Sequence, residues 1–189
     1  MIQESRFWKK DLLRLADRLR RVRKNDKPFA TGTCVAVEKA VMMGAFVVRK
    51  LAESHKLSDR TSSMSLRVTR SPSTGEPVTW MNNHRLPELF DFTKAVPARL
   101  SLWFLSNQVI HSHIFATYSD PAGRRRGVFI SSDRERNRAL VAVPLFEFER
   151  AFRRAGRDYP SFMRFTFDEK LRDYRVTSEE REGQRTRRD

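Results

Sequence analysis

The sequence predicts an α+β fold in which N-terminal helices pack on a mostly antiparallel sheet, followed by a C-terminal helix and hairpin. Three observations predict it. Apolar positions recur with helical spacing through residues 4–55. Alternating strand-like runs separated by turn residues fill the middle of the chain. A helical segment opened by proline then gives way to two short runs flanking a charged turn.

Trp8, Leu12, Leu15, Leu19 and Val22 alternate spacings of four and three, which makes one apolar stripe on a helix over residues 4–24. Lys10, Arg14, Arg18, Arg21 and Arg23 occupy the rest of its surface, and residues 24–28 break it. The narrow stripe suits packing on its own domain, and it also suits a seam for a partner helix. A second helix is expected over 33–55, with Thr33 as its N-cap. Val37, Val41, Ala45, Val48 and Ala52 mark one face and Met42, Phe46 and Arg49 another, so this helix is expected at the centre of the core.

Residues 64–70 alternate Met64, Leu66 and Val68 against Ser65, Arg67 and Thr69, the pattern of a half-buried strand. Residues 71–77 read as a loop and 78–81 as the returning strand. A short helical turn is expected over 88–92. Residues 98–111 read as a helix, with a long buried strand as the alternative because 100–105 is nearly continuous and aromatic. Three strands at 113–118, 127–131 and 138–143 suit an antiparallel meander. Pro144 opens a helix to about residue 155, with Gly156 as its stop. Residues 162–167 and 171–176 read as a closing hairpin. Residues 177–189 carry almost no apolar side chains and are expected to be a disordered tail, leaving one domain over 1–176.

The charge narrows the partner. The chain holds 38 Lys+Arg against 23 Asp+Glu, a formal net charge of +15, and 29 of the basic residues are arginine. That excess points to a polyanion, nucleic acid above all, and away from a protein that works only on cationic or apolar ligands. Arginine binds phosphate bidentately and stacks on bases, although a genome rich in G and C also places arginine wherever a surface cation will do. Cys34 is the only cysteine, so no intrachain disulfide forms and a reducing cytoplasm is expected. It lies near no activating cation and reads as a buried structural thiol. The most apolar run, residues 40–48, falls short of the ~20 residues that span a bilayer. A soluble protein without a membrane partner is expected.

Two cationic surfaces are candidates for phosphate contact. Lys9, Lys10, Arg14, Arg18, Arg21 and Lys24 surround the apolar stripe of the first helix. Arg124, Arg125 and Arg126 lie in one proposed turn, and Arg134 and Arg136 in the next. Three consecutive arginines repel one another unless an anion is near, which favours function for the first turn. Consecutive turns of a meander project from opposite ends, so the two sets need not meet. Asp133 and Glu135 are expected to pair with the arginines around them.

The remaining oddity is Asn107-Gln108-Val109-Ile110-His111-Ser112-His113. On a helix, Asn107, Gln108 and His111 sit among apolar residues and need hydrogen-bond partners. They make either a satisfied network fixing helix to sheet, or a pocket in which His111 is a general acid or base of a small hydrolase or nuclease. His111 and His113 on a strand would face one side as a metal pair, but no third ligand stands at useful spacing. No phosphate loop, nucleophile elbow or zinc-protease motif is present, and no cofactor is expected. The order of expectation is a non-enzymatic nucleic-acid-associated protein, then an interaction or scaffold subunit docking through the first helix or aromatic surface, then an enzyme using His111.

Overall fold

A computed structural model describes residues 2–25 and 29–179. Helices α1 (Ser5–Lys24) and α2 (Thr31–Glu53) come first, followed by the short α3 (Asp59–Ser62) and strand β1 (Ser65–Pro72). Helix α4 (Leu86–Leu89) and a 3-10 turn (Phe92–Lys94) precede β2 (Val96–Ser101) and α5 (Leu102–Ile110). The meander β3 (Ser112–Ser119), β4 (Arg125–Ser132) and β5 (Ala139–Pro144) leads into α6 (Leu145–Arg157) and the hairpin β6 (Phe162–Asp168) and β7 (Asp173–Glu179). The large sheet has the order β2-β1-β5-β4-β3 with every neighbouring pair antiparallel. The α+β architecture expected from the sequence is the one observed.

The alternation along the strands sorts side chains into two layers. Leu66, Val68, Val128, Ile130, Val141 and Val143 join α1, α2, α5 and α6 in the main core. Ile114 and Leu140 point to the opposite face, where Val78, Leu89 and Phe90 from residues 73–95 cover them in a second, smaller cluster. That excursion is tied back to the end of β1 by the Asp91 amide, which donates to Pro72 O at 2.9 Å.

In α1, Leu12, Ala16 and Leu19 are fully buried at helical spacing, and the Glu4 carboxylate caps the helix by accepting from the Arg6 amide. Helix α2 starts at Thr31, two residues before the sequence suggests. Its N-cap is Ala30, which offers no side-chain bond, and Thr33 lies inside the helix. α2 is long and apolar enough to cross a membrane by length and composition, and its apolar character extends well beyond residues 40–48. In this fold Val37, Val41, Ala45, Val48 and Leu51 use that character to build the main core.

Two glycines set how closely the helices approach. A Cβ on Gly44 of α2 would lie 2.2 Å from the ring of Phe152 on α6. A Cβ on Gly156 would lie 2.8 Å from the Leu13 side chain and 3.0 Å from Lys9 O. Gly156 therefore does not stop α6, which continues to Arg157; it is the point where α6 meets α1.

Three other expectations are corrected. Residues 78–81 do not form a strand, because Asn82 turns the chain: its Oδ1 accepts from the Thr79 amide at 2.7 Å and its Nδ2 donates to Pro77 O at 3.0 Å. The strands that pair with β1 are β5 on one side and β2 on the other, and residues 98–101 of β2 come from the segment read as a helix. The helix begins only at Leu102, where Ser101 Oγ accepts from the Phe104 amide at 3.1 Å. At the far end β7 reaches Glu179 rather than stopping at Val176. Ser178 holds it there, its hydroxyl donating to Leu57 O and its amide to Asp59 Oδ2. The tail expected from Thr177 lies, from residue 180 on, outside the described residues.

Candidate nucleic-acid interface

The helical period that buries Leu12, Ala16 and Leu19 sends Lys10, Arg14, Arg18 and Arg21 to the opposite side of α1. All four are exposed, spaced four, four and three residues apart, and Lys24 is exposed beyond them. Arg14 pairs with Asp11 at 2.9 Å, while Lys10, Arg18, Arg21 and Lys24 have no ion-pair partner among the described residues. From Lys10 to Arg21 the stripe runs about 16 Å along a rigid helix.

Lys9 is not part of that surface. It is 1 % exposed, on the same face as Leu12, Ala16 and Leu19. Its ammonium donates to Asp158 O and sits 4.1 Å from the centre of the Tyr159 ring. Burial pulls its pKa below the ordinary lysine value against the opposing field of Asp158. Asp158, fully buried at the end of α6, also accepts from the amide and hydroxyl of Ser58 at 2.7 and 3.0 Å. This knot joins α1, α6 and the start of α3.

The arginine-rich turns are largely compensated from within. Arg124 and Arg126 both bind Asp120, with Nε–Oδ2 distances of 2.9 and 2.8 Å. Burial works against the Asp120 charge, but the Arg124 amide and the two guanidiniums outweigh it and hold the carboxyl at about 2. The anion that Arg124 and Arg126 call for is thus supplied by the turn itself. Arg125 lies at the start of β4. At the opposite end of β4, Arg136 pairs with Asp133 and Arg138 with Glu135, as the sequence suggests, while Arg134 is exposed.

The end of α1 and the first of these turns do meet. Arg23, Tyr118, Arg126, Pro144 and Phe146 line a shallow cleft of about 380 Å³. Arg23 binds Glu149 at 3.1 Å and lies 5.5 Å from the centre of the Phe146 ring. Tyr118 stacks on Phe129 with centroids 4.6 Å apart, and burial raises its phenol pKa against the field of Arg126. Sequence reasoning missed Tyr118 and Phe146, since only the pairing of β3 with β4 and the turn from β5 into α6 bring them beside α1.

Asn107, Gln108 and His111 do not converge on a pocket. Gln108 is buried, and its Oε1 accepts from the Ser132 amide at 3.3 Å, fastening α5 to β4. Asn107 Oδ1 is buried with no hydrogen-bond partner among the described residues. His111 caps α5 with an exposed side chain, and its carbonyl accepts from the Asp133 amide. His111 and His113 do not form a strand pair, because His111 is the C-cap of α5 and lies outside β3, and a bulge opens β3 at His113. The buried histidine is His113, whose side chain is 2 % exposed. Its Nδ1 lies 3.3 Å from Arg136 Nη1 and 3.8 Å from Asp133 Oδ1, and its ring lies 4.4 Å from that of Trp80. Cys34 is half-buried, with Sγ 3.3 Å from Thr117 Oγ1. Among the described residues no group of three His, Cys, Asp or Glu side chains could hold a metal ion. The chain matches no protein-family model, no curated protein sequence and no solved structure.

Proposed function

We propose that this protein binds nucleic acid non-enzymatically and with little sequence preference, laying the outer face of α1 along the phosphate backbone. The observation that carries the reading is the stripe of Lys10, Arg14, Arg18 and Arg21. Like charges three or four residues apart each cost an isolated helix about 0.2–0.5 kcal/mol. The Lys10/Arg14, Arg14/Arg18 and Arg18/Arg21 pairs incur that cost together; of the two acids beside them, Asp11 binds Arg14 and Asp17 is bound at 2.6 Å by Arg153 of α6. A polyanion relieves it. The favourable field at a helix C-terminus accounts for Arg23 and Lys24 in the last turn, but it does not reach Lys10 and Arg14. The compensated turns at Asp120 and Glu135 contribute less, because a phosphate there must compete with a carboxylate already in place.

No base-reading motif accompanies the stripe, so phosphate contact fixes position without specifying sequence. The test is a titration of isotope-labelled protein with a random-sequence duplex at low salt, followed by NMR. Shift changes are expected to concentrate on residues 6–24 and to be nearly the same for an unrelated duplex. Changes confined to the β4–β5 turn, or none, would overturn the reading. The alternative, a subunit of a larger assembly, is favoured by a different surface, the exposed aromatic side of the C-terminal hairpin.

A further inference from the structure

The register of β6 and β7 gathers most of their apolar side chains on one side. Phe165 faces Val176 and Phe167 faces Tyr174, with Met163 on the same side. The other side carries Phe162 opposite Glu179 at its base, then Arg164 opposite Thr177 and Thr166 opposite Arg175. In a two-layer protein the apolar side of such a ribbon packs on the body, yet here Phe165 is 61 %, Phe167 54 %, Tyr174 57 % and Leu171 of the turn 63 % exposed. The ribbon is nonetheless well built. Asp168 accepts from the Lys170 and Leu171 amides, binds Arg175 at 2.5 Å, and Phe167 and Tyr174 meet edge to face. A lone two-stranded hairpin is marginal in water unless its apolar face is buried.

We propose that a second copy of this chain covers that face, the two hairpins stacking about a two-fold axis into a small four-stranded sandwich. Charge selects the occupant. Residues 162–179 carry four basic side chains (Arg164, Lys170, Arg172 and Arg175) and four acidic ones (Asp168, Glu169, Asp173 and Glu179), so the hairpin is neutral on a chain of net +15. It offers no net attraction to phosphate, and two strongly basic molecules approach each other there without a local excess of positive charge. Residues 180–189 contain no apolar side chain that could fill the face. The size fits as well. Four side chains of roughly 200 Å² each, more than half exposed, present on the order of 400–500 Å². With Met163, Val176 and the polar rim this approaches the ~800 Å² per partner of a standard interface. Aligned sheets about 10 Å apart interdigitate such rings, and the contact is closed because each copy offers the same patch. The inference is independent of α1 and stands whether or not nucleic acid binds there.

Sedimentation of the full chain without nucleic acid tests it. At about 100 µM the protein is expected at twice its 22.2 kDa chain mass. The double variant Phe165→Ser/Phe167→Ser is expected to sediment as a monomer with an unchanged circular-dichroism spectrum, and Thr166→Glu on the polar side to remain a dimer. Should the double variant misfold, Leu171→Asp at the exposed turn is expected to weaken association at least tenfold. A monomeric parent protein at that concentration, or a dimer that survives both variants, would overturn the proposal.

Discussion

Glutamine at Lys10, Arg14, Arg18 and Arg21 lowers affinity for a random-sequence duplex by about a hundredfold or more at roughly 50 mM salt. Each phosphate neutralised by a cation releases counterions and contributes about −0.9 to the slope of log K against log salt. Three of the four cations are unpaired and Arg14 is shared with Asp11, so removing them flattens the salt dependence by about 3 as well as weakening binding. The free protein moves the other way. The three like-charge pairs along the stripe disappear, so the variant gains stability, on the order of 1 kcal/mol. A variant that binds worse while melting higher cannot be explained by misfolding. Glutamine at Arg124, Arg126, Arg136 and Arg138, the same number of cations removed, is expected to cost far less affinity, because each already has a carboxylate partner. Fluorescence anisotropy over a salt series measures both sets. Equal losses in the two would place the backbone contact on the whole surface rather than on α1.

Asp158→Ala is expected to destabilise the fold by about 3–5 kcal/mol, since it removes one member of a buried, charged network and strands the others. The Ser58 amide and hydroxyl lose their acceptor, and the Lys9 ammonium loses the nearby charge that offsets its burial. For a chain of this size the melting temperature falls by roughly 10 °C. Asp158→Asn keeps an acceptor for Ser58 and is expected to cost less than alanine, which separates hydrogen bonding from charge. Urea denaturation gives the numbers. A loss below about 1 kcal/mol for the alanine variant would contradict the buried network. Lys9 also separates architecture from binding: Lys9→Met is expected to alter stability and leave duplex affinity nearly unchanged.

Much of this molecule follows from local pattern. The helical period of Leu12, Leu15 and Leu19 and the alternation around Leu66 and Val68 locate α1 and β1 within a residue or two. The meander follows from three short runs and their turns. The outward stripe of α1 was legible for the same reason. What local pattern conceals is the fate of a residue whose type and position disagree. Lys9 reads as surface by type, but its spacing to Leu12, Ala16 and Leu19 puts it on the inner face, and spacing decides. Residues 100–105 are apolar enough for either strand or helix, and only pairing with β1 divides them at Ser101. Gly156 resembles a helix stop until α1 packs on it. The compensation of Arg124 and Arg126 by Asp120 depends on a tight turn that folds the carboxylate back over the arginines. The exposed side of the C-terminal hairpin was hidden differently: alternation identifies its apolar face but not whether the body covers it.

The salt dependence of the unmodified protein on a random-sequence duplex tests the central claim most directly. Four uncompensated cations on one face of α1, Lys10, Arg18, Arg21 and Lys24, predict a slope of log K against log salt near −4, a loss of roughly two orders of magnitude between about 50 and 200 mM, and the same slope on any sequence. A slope near zero, or binding confined to one sequence and insensitive to salt, would contradict the account.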